Sequence, residues 1–264
     1  MSSPQPPLAD WVGRALVVGC GGIGRALLAE LEQRAPGLQL VGASRHDFRR
    51  DVRRDSREDV RSGEKASWER VSHWPLDLTD DGSLARLGDA LQDGPPLRLV
   101  LNTAGVLHDG TLRPEKRLAQ VCRANLERSF AVNAFAPVLL AQAVEPALPR
   151  QAPFHFASLS ARVGSLGDNR LGGWYSYRSA KAAQNQLLRT LALEWSRRLP
   201  LGCVSLLHPG TTATPLSAPF QASVPPERLF SPQRAARHLL AVLNGLGPEQ
   251  SGGFWAWDGQ PIPW

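Results

Sequence analysis

The residues best suited to chemistry lie in one short segment, WYSYRSAKAA, at 174–183. It holds both tyrosines of the chain, Tyr175 and Tyr177, and one of its three lysines, Lys181. Residues four positions apart share a helix face, so Lys181 can lie beside Tyr177 if this segment is helical. A neighbouring cation favours the phenolate and lowers the pKa of a tyrosine from its usual value of about 10. The pair could therefore exchange a proton with a substrate oxygen near neutral pH.

A glycine-rich segment near the start, VVGCGGIGRALL (17–28), has the pattern of a dinucleotide-binding loop. Gly19, Gly21 and Gly24 stand in a G-x-G-x-x-G register, with Gly22 and Ile23 between them. The loop follows an apolar run typical of a strand and opens a helical pattern, which is the context this motif requires. Glycines let the backbone approach a pyrophosphate at the positive end of the helix. The alternative is a tight strand–helix turn that binds no ligand.

The end of the second predicted strand indicates which dinucleotide would bind. A carboxylate there would hold the ribose 2′-hydroxyl of NAD, whereas an arginine suits the 2′-phosphate of NADP. The strand ends VGASRHD, with Ser44 and Arg45 where the acid would stand and Asp47 two positions further on. The sequence therefore predicts NADP in preference to NAD, and Arg25 could assist.

Short apolar runs alternate with helical patterns along the whole chain. The strand candidates are apolar on both faces, as in a parallel sheet covered by helices, and strand–helix alternation predicts a doubly wound α/β fold. These candidates are 15–19, 38–44, 71–78, 97–105, 154–160 and 203–210. We predict one Rossmann-like domain over 13–264, preceded by a loose tail over 1–12.

Composition narrows the classes of partner. The net charge of +6 and pI of about 9.9 suggest nucleic-acid binding. However, the arginine-rich stretch 45–70 interleaves its basic residues with acidic ones, which is typical of a solvated, salt-bridged helix. We expect no nucleic-acid partner and no metal, since the three cysteines match no metal or redox spacing. With no signal-peptide pattern and no long apolar run, the sequence predicts a cytoplasmic protein without a membrane segment.

Several further motifs share the order and spacing of one known family. In chain order, after the glycine loop, they are LDLTD with Asp77, NTAG at 102–105, Asn133 in FAVNAFAP, the serines of ASLSARVGS, Tyr177-x-x-x-Lys181, and HPGTTAT at 208–214. With these motifs the chain resembles the short-chain dehydrogenases/reductases over nearly its whole length. The segment SARVGSLGDNRLGGWYSYRSAKAA and the ending FWAWDGQPIPW most resemble the C-factor-like branch of that family.

The resemblance implies roles for these residues. Tyr177 would donate or accept the proton, Lys181 would lower its pKa and bind the nicotinamide ribose, Ser160 would bind the substrate oxygen, and Asn133 would hold a water. Those implied to line the cofactor cleft are Asp77, Leu78, Asn102, Ala104, Gly105, Pro209, Gly210 and Thr212. The implied activity is an NADP-dependent interconversion of a carbonyl and an alcohol by a homodimer or homotetramer. The C-factor-like resemblance also leaves open a cofactor-binding signalling or sensor protein whose reductase activity is incidental.

Some positions depart from the family pattern. Val18 stands where the glycine loop usually has threonine, and the loop is one residue shorter. Ser160 precedes Tyr177 by more residues than is usual, and the excess falls in the loop 164–173. Ser158 competes with Ser160 for the serine role, because alternate strand residues share a face.

The segment 211–230 is rich in proline and small residues and is interpreted as a mobile substrate lid. Its apolar side chains, Leu216, Phe220, Leu229 and Phe230, suggest an apolar carbonyl or alcohol substrate. For the aromatic ending, with Phe254, Trp255, Trp257 and Trp264, three readings stay open. It could wall the pocket, form a subunit interface or pack as a terminal strand.

Overall fold

The computed structural model describes residues 6–50, 68 and 70–264. Within these residues seven strands form one parallel sheet. They are β1 (Gly13–Val18), β2 (Leu38–Ser44), β3 (Val71–Pro75), β4 (Leu97–Asn102), β5 (Phe154–Leu159), β6 (Gly202–His208) and β9 (Gly253–Ala256). Their order across the sheet is β3-β2-β1-β4-β5-β6-β9. Two short strands, β7 (Thr211–Thr212) and β8 (Leu229–Phe230), pair separately.

The helices cover both faces of this sheet. They are α1 (Gly22–Arg34), α2 (Asp81–Gln92), α3 (Arg123–Phe130), α4 (Ala136–Val144), α5 (Tyr175–Arg198) and α6 (Pro232–Asn244). A π-helical turn, Ala131–Phe135, joins α3 to α4. Leu16 and Val18 of β1 face a core shared with α2, α4 and α5, while Ala15 and Val17 face the core shared with α1 and α6. The strands are apolar on both faces because each face is buried. The predicted doubly wound single domain is confirmed.

The order of strands creates a crevice at one edge of the sheet. The chain runs outward from β1 to β2 and β3, then returns to β4 on the other side of β1. In such open sheets, ligands bind where the strand order reverses, beyond the carboxyl ends of the strands. Gly19, Ser44 and Thr103 stand at or just beyond the ends of β1, β2 and β4, respectively, around this point.

The predicted loose tail is wrong for residues 6–12, whereas residues 1–5 lie outside the described part. Leu8 starts a short 3-10 helix, and its N–H donates to Asn244 Oδ1 at 2.8 Å. Trp11 is 1% exposed and stacks on His155 with 5.3 Å between ring centres. Burial of this indole fixes the segment to the sheet, which the high proline and serine content did not reveal.

Two further expectations concern helices. The arginine-rich stretch 45–70 falls mostly outside the described residues, since 51–67 and 69 are not among them. One continuous helical run, Arg123–Ala147, is long and apolar enough to cross a membrane by length and composition alone. In this fold the run packs against α2 and α5, and a core helix passes the same test, so it is weak evidence for a membrane span.

The aromatic ending forms the last strand of the sheet. Phe254 in β9 is 2% exposed, and β9 pairs with β6. Trp257 follows the strand and packs edge-on against Phe230 with 4.8 Å between ring centres. Of the three readings of this segment, the packed strand describes residues 253–256.

Candidate active site

The glycine loop has the shape of a phosphate cradle. Gly19 adopts φ +86°, and a Cβ there would lie 2.6 Å from the main-chain nitrogen of Ala104. A Cβ on Gly24 would lie 2.3 Å from the carbonyl oxygen of Gly19. In contrast, a Cβ on Gly21 would meet nothing within 4 Å, and no side chain caps the start of α1. The first N–H groups of α1 therefore have no side-chain acceptor and the space beside Gly21 is open, so the residues fit the pyrophosphate of a dinucleotide.

Thr103 takes part in this loop and was missed at the sequence level. Its Oγ1 lies 2.5 Å from the carbonyl oxygen of Gly19, to which it donates, and 3.1 Å from that of Val18. Thr103 N–H donates to Val18 O at 2.8 Å. A hydroxyl on the β4 side therefore ties the glycine loop to the NTAG segment. Val18 lacks the hydroxyl that threonine supplies at this position in the family, and this was the one signal in the sequence that another residue, here Thr103, could supply it.

Arg45 and Asp47, the two residues that could contact the adenosine ribose or its 2′-phosphate, differ in their surroundings. Arg45 is exposed just beyond β2, and Ser44 Oγ donates to His46 O at 2.8 Å. Asp47 accepts hydrogen bonds from Nε and Nη2 of Arg49, both at 2.9 Å. These bonds lower the pKa of Asp47 to about 2. The acid that would favour NAD is thus already paired within the protein, while the guanidinium of Arg45 lies at the open edge.

Asp77 and Leu78 lie beyond β3 on the same side. Thr79 donates to Asp77 Oδ1 through its hydroxyl at 2.7 Å and its N–H at 2.9 Å. These hydrogen bonds lower the pKa of Asp77, with a smaller effect from the positive charges of Arg45 and Arg128. Leu78 is half-buried against the core. Asp77 therefore stabilises its own turn and lies within electrostatic reach of Arg45.

Tyr177 and Lys181 lie on one buried face of α5, as predicted. Lys181 Nζ is 5.8 Å from the centre of the Tyr177 ring and donates to Leu159 O and Gln184 Oε1, both at 2.9 Å. Burial lowers the pKa of Lys181 to about 7 and raises that of Tyr177. Burial therefore acts on the tyrosine pKa in the direction opposite to that expected from a neighbouring cation.

The structure separates the two candidate serines. Ser158 is fully buried in β5, where its hydroxyl accepts from Asn102 Nδ2 at 2.9 Å and Gln184 Nε2 at 2.8 Å. Ser160 lies just beyond β5 and donates to Asn185 Oδ1 at 2.6 Å. Both belong to one face of the strand, but Ser158 is enclosed by side chains. Ser160 is also buried, at 4% exposed, and lies at the carboxyl end of the strand.

Asn133 and Lys181 both lie beside Gly105. The Asn133 side chain bonds both main-chain groups of Val106, with 3.0 Å from Oδ1 to N and 2.7 Å from Nδ2 to O. A Cβ on Gly105 would lie 3.2 Å from Asn133 Oδ1 and 3.9 Å from Lys181 Nζ. Gly105 is exposed, so this point is the open edge of the cleft beside the lysine.

Asn102 turns away from the cleft. It is 1% exposed, donates to Ser158 and accepts the N–H of Ala104 at 3.2 Å. Its side chain therefore shapes the turn after β4 from within, while Ala104, which is half-exposed, presents backbone to the cleft.

The segment after β6 covers the glycine loop. Gly210 has φ +77°, and a Cβ there would lie 2.6 Å from the ring of Phe230. Thr212 is 4% exposed, and its carbonyl oxygen accepts from Ser217 Oγ at 2.5 Å. The methyl group of Thr214 would lie 2.9 Å from a Cβ on Gly22. Pro209 precedes this turn, so 209–214 brings backbone over the place expected for the cofactor.

His108 binds the segment that follows β6, and the sequence did not predict this contact. Its Nε2 lies 3.1 Å from the carbonyl oxygens of both Pro215 and Leu216. Carbonyl oxygens only accept, so this nitrogen carries a proton. No sequence motif indicated this contact, because the two segments are distant in the chain.

The first turn of α5 is positioned by Trp174 and Glu115, which were not assigned roles. Trp174 has φ +52°, a left-handed conformation rarely adopted by a bulky residue. Its N–H donates to the carbonyl oxygen of Glu115, and the buried carboxylate of Glu115 accepts from the hydroxyl and N–H of Ser176. The Trp174 ring packs against Tyr177 at 6.3 Å and Phe220 at 5.2 Å between centres. Trp174 thus connects Tyr177 to the segment 211–230.

Comparison with known proteins agrees with this geometry. Residues 14–224 match the family described as short chain dehydrogenase. The chain belongs to the short-chain dehydrogenase/reductase family. The predicted family is therefore confirmed, and with it a nicotinamide-dependent oxidoreductase that acts on small molecules.

Individual relatives are similar over most of the chain. The C-signal protein of Myxococcus xanthus is 34% identical over 170 residues, which cover 64% of this chain and 93% of that one. A 1-hydroxy-2-glutathionyl-2-methyl-3-butene dehydrogenase of Rhodococcus sp. (strain AD45) is 34% identical over 195 residues, covering 72% and 78%. The NADPH-bound carbonyl reductase from chicken fatty liver superposes with a TM-score of 0.80 at 22% identity, covering 96% and 99%. This last likeness shows the shared fold.

Proposed function

We propose that the chain is an NADP-dependent reductase and dehydrogenase that interconverts a carbonyl and an alcohol, with Tyr177 as general acid and base. One observation carries the proposal. Tyr177 and Lys181 lie together on the buried face of α5, and Lys181 Nζ is beside the exposed edge at Gly105. Proton-transfer groups therefore adjoin the crevice in which this fold binds dinucleotides.

The cofactor would be held mainly by backbone. The Gly19–Gly24 loop and the start of α1 suit the pyrophosphate, and Arg45 suits the 2′-phosphate of NADP, since Asp47 is already paired with Arg49. Asp77, Leu78, Ala104 and the 209–212 turn would complete the cleft. When bound, the nicotinamide supplies hydride to a carbonyl or accepts it from an alcohol.

The protein's own groups would move the proton. Burial raises the pKa of Tyr177, so its hydroxyl keeps its proton at neutral pH and can donate it to the substrate oxygen in reduction. Ser160 Oγ would turn from Asn185 to donate to the same oxygen and stabilise its negative charge. Lys181, once protonated, would stabilise the phenolate that forms, and a water held near Asn133 would link it to solvent.

An apolar substrate fits the surroundings of the tyrosine. Trp174 lies between Tyr177 and Phe220, and Leu216 reaches the Gly105 edge, with 3.9 Å between its Cδ1 and a Cβ on Gly105. These side chains would exclude water from the reacting carbon. The segment 211–230 would act as the lid, fastened at His108 and resting on Trp174.

The test begins with nucleotide binding, which needs no known substrate. Titration with NADPH and NADH, followed by nucleotide fluorescence, should give clearly tighter binding of NADPH, and Arg45→Ala should remove that difference. Equal binding of both nucleotides would contradict the assignment of Arg45.

Turnover is then measured with NADPH and a panel of benzaldehyde, acetophenone, cyclohexanone and hexanal. Tyr177→Phe should lower turnover by about 10²–10⁴-fold while nucleotide binding is retained. Tyr175→Phe is the matched control, since Tyr175 is 41% exposed on the same helix turn. Normal turnover by Tyr177→Phe would overturn the catalytic assignment.

A second candidate is a signalling protein whose reductase activity is incidental. The similarity to C-signal, which extends over 93% of that protein, favours it. A binding partner retained by Tyr177→Phe but lost when the glycine loop is disrupted would support this candidate.

A further inference from the structure

We infer that Gln184 is a positioning residue that holds the ammonium group of Lys181 in place and in its charged form. The inference rests on the proposed function only where it predicts an effect on turnover. It concerns a side chain outside the serine, tyrosine, lysine and asparagine set described above.

Gln184 lies three residues after Lys181 on α5 and is fully buried. Its Oε1 accepts from Lys181 Nζ at 2.9 Å. Its Nε2 donates to Ser158 Oγ at 2.8 Å and to Leu159 O at 3.2 Å. Lysine can only donate and a carbonyl oxygen can only accept, so the orientation of this amide is determined by its neighbours.

The contact extends into a continuous buried network. Ser158, held by Gln184, also accepts from Asn102 Nδ2, and Asn102 Oδ1 accepts the N–H of Ala104 in the cleft. Lys181, Gln184, Ser158 and Asn102 are each at most 3% exposed. Hydrogen bonds therefore run without solvent from the lysine to the backbone of the cleft. This also explains Ser158, whose hydroxyl supports Gln184 and Asn102.

The geometry leaves one donor of Lys181 for the cleft. The ammonium group has three N–H donors, of which Leu159 O and Gln184 Oε1 take two. The third makes no hydrogen bond to the described residues, and Gly105 lies beside Nζ, which is 3.9 Å from a Cβ built there. Because hydrogen bonds to a charged group favour its charged form, the two carbonyl acceptors oppose the burial that lowers the lysine pKa to about 7. Without Gln184, half of these acceptors are lost.

Other ionisable groups around Lys181 do not account for its charge. Tyr177 faces it from the same helix and is kept neutral by burial. Those on elements packed against this part of α5 are His155 and His208, whose pKa values burial lowers to about 4, and the surface residues Arg123, Glu127, Arg128 and Arg162. The buried carboxylate of Glu115 bonds Ser176 at the start of α5, and Arg178 of the same helix donates to the carbonyl oxygens of Gly172 and Gly173, so both are already paired and are the same in every variant compared below. Both histidines are neutral near pH 7, and exposed charges are screened by solvent. Burial and the two acceptors therefore govern the ionisation of Lys181.

The lysine count makes a direct measurement possible. With only Lys65, Lys116 and Lys181 in the chain, protein grown with lysine labelled with carbon-13 at the ε position gives three side-chain signals. Lys181→Arg identifies the signal of Lys181 by removing it. Titration with pH then reports the pKa of Lys181 without any need for turnover or a known substrate.

Three variants test the role. Gln184→Leu removes the acceptor and should lower the pKa of Lys181 by about one to two units. Gln184→Glu replaces the acceptor by a carboxylate and should raise it by at least about one unit. Gln186→Leu, the same substitution at an exposed position two residues on, should leave the pKa of Lys181 unchanged. Thermal unfolding of each variant identifies any that fail to fold.

Turnover extends the same test. With the panel of carbonyl compounds, the alkaline limb of kcat/KM should move to lower pH in Gln184→Leu and to higher pH in Gln184→Glu. A pKa of Lys181 that is the same in wild type, Gln184→Leu and Gln184→Glu would overturn the inference, even if both variants are less stable. If the pKa shifts as expected but wild type reduces no carbonyl, the positioning role stands and the proposed function fails.

Discussion

The two halves of the candidate site are built in opposite ways. The nucleotide half, around the glycine loop and the end of β2, depends on missing side chains, since backbone atoms occupy the space a Cβ would need at Gly19 and Gly24. The catalytic half, between β5 and α5, depends on buried side chains that hydrogen-bond one another, including Lys181 and Gln184. Substitutions that add a side chain should therefore disturb the nucleotide half most, and substitutions that remove a polar group should disturb the catalytic half most.

The largest expected effect comes from an added methyl group in the glycine loop. Gly24→Ala places a Cβ 2.3 Å from the carbonyl oxygen of Gly19, so it should shift the loop, lower the melting temperature and abolish nucleotide binding. Gly21→Ala has room within the protein, since its Cβ would meet nothing within 4 Å. It should keep the wild-type melting temperature but weaken NADPH binding at least about tenfold, because the methyl group enters the phosphate space.

Fluorescence titration and thermal unfolding of both glycine variants check this contrast. If Gly21→Ala bound NADPH as wild type does, the open space in front of α1 would not be the phosphate site.

A smaller effect is expected in the catalytic half when one negative charge is lost. Glu115→Gln keeps the shape of the side chain but removes the carboxylate that caps Ser176 at the start of α5. The free energy of unfolding should fall by about 1–2 kcal/mol. Turnover should fall about tenfold, because the first turn of the helix carries Tyr177, while NADPH binding changes little.

Thermal unfolding, kcat and nucleotide affinity measure the three effects of Glu115→Gln. Glu127→Gln is the control, since Glu127 is exposed and only loosely paired with Arg123 at 3.9 Å. Equal stability of the two variants would show that Glu115 does not cap the helix.

The smallest effect should come from Thr103, where the nucleotide half does use a side chain. Thr103→Val removes the hydroxyl that bonds Gly19 O and should weaken NADPH binding about fivefold, in line with a hydrogen bond worth ~1 kcal/mol. Thr103→Ser keeps the hydroxyl and should bind nearly as wild type does. The measurement is the ratio of the two dissociation constants for NADPH. A ratio near one would show that the hydrogen bond from Thr103 to Gly19 O is dispensable for binding.

The strand–loop–helix shape of the nucleotide half can be predicted from the sequence because its pattern is local. Glycines at fixed spacing after an apolar strand occupy a few consecutive positions, and the strand alternation indicates the fold that surrounds them. The Tyr177–Lys181 pair is predictable for the same reason, since both residues lie on one turn of one helix. The roles of Ser160, Tyr177, Lys181 and Asn133 stay predictions, as do the preference for NADP and the assembly as a homodimer or homotetramer.

The supporting contacts could not be predicted because they join distant segments. Glu115 and Ser176 are 61 positions apart, and His108 is 107 positions from Pro215. In the sequence Gln184 is an ordinary helix residue. Its contacts with Ser158 and Leu159 arise only from the packing of α5 on β5. The raised pKa of Tyr177 also depends on burial, which the spacing of two residues does not reveal.

The cap at the start of α5 has a consequence for how the protein folds. No side chain near the start of α5 caps the helix locally, since the Trp174 side chain makes no capping bond, and the carboxylate that does so arrives from 61 positions upstream. The first turn of an uncapped helix frays, so the turn that holds Tyr177 becomes ordered only when the 103–117 segment docks. The order of the turn that holds Tyr177 therefore depends on a contact made from a distant part of the chain. In native-state hydrogen exchange, the amide of Ser176 should open together with the segment that carries Glu115 and not with the rest of α5.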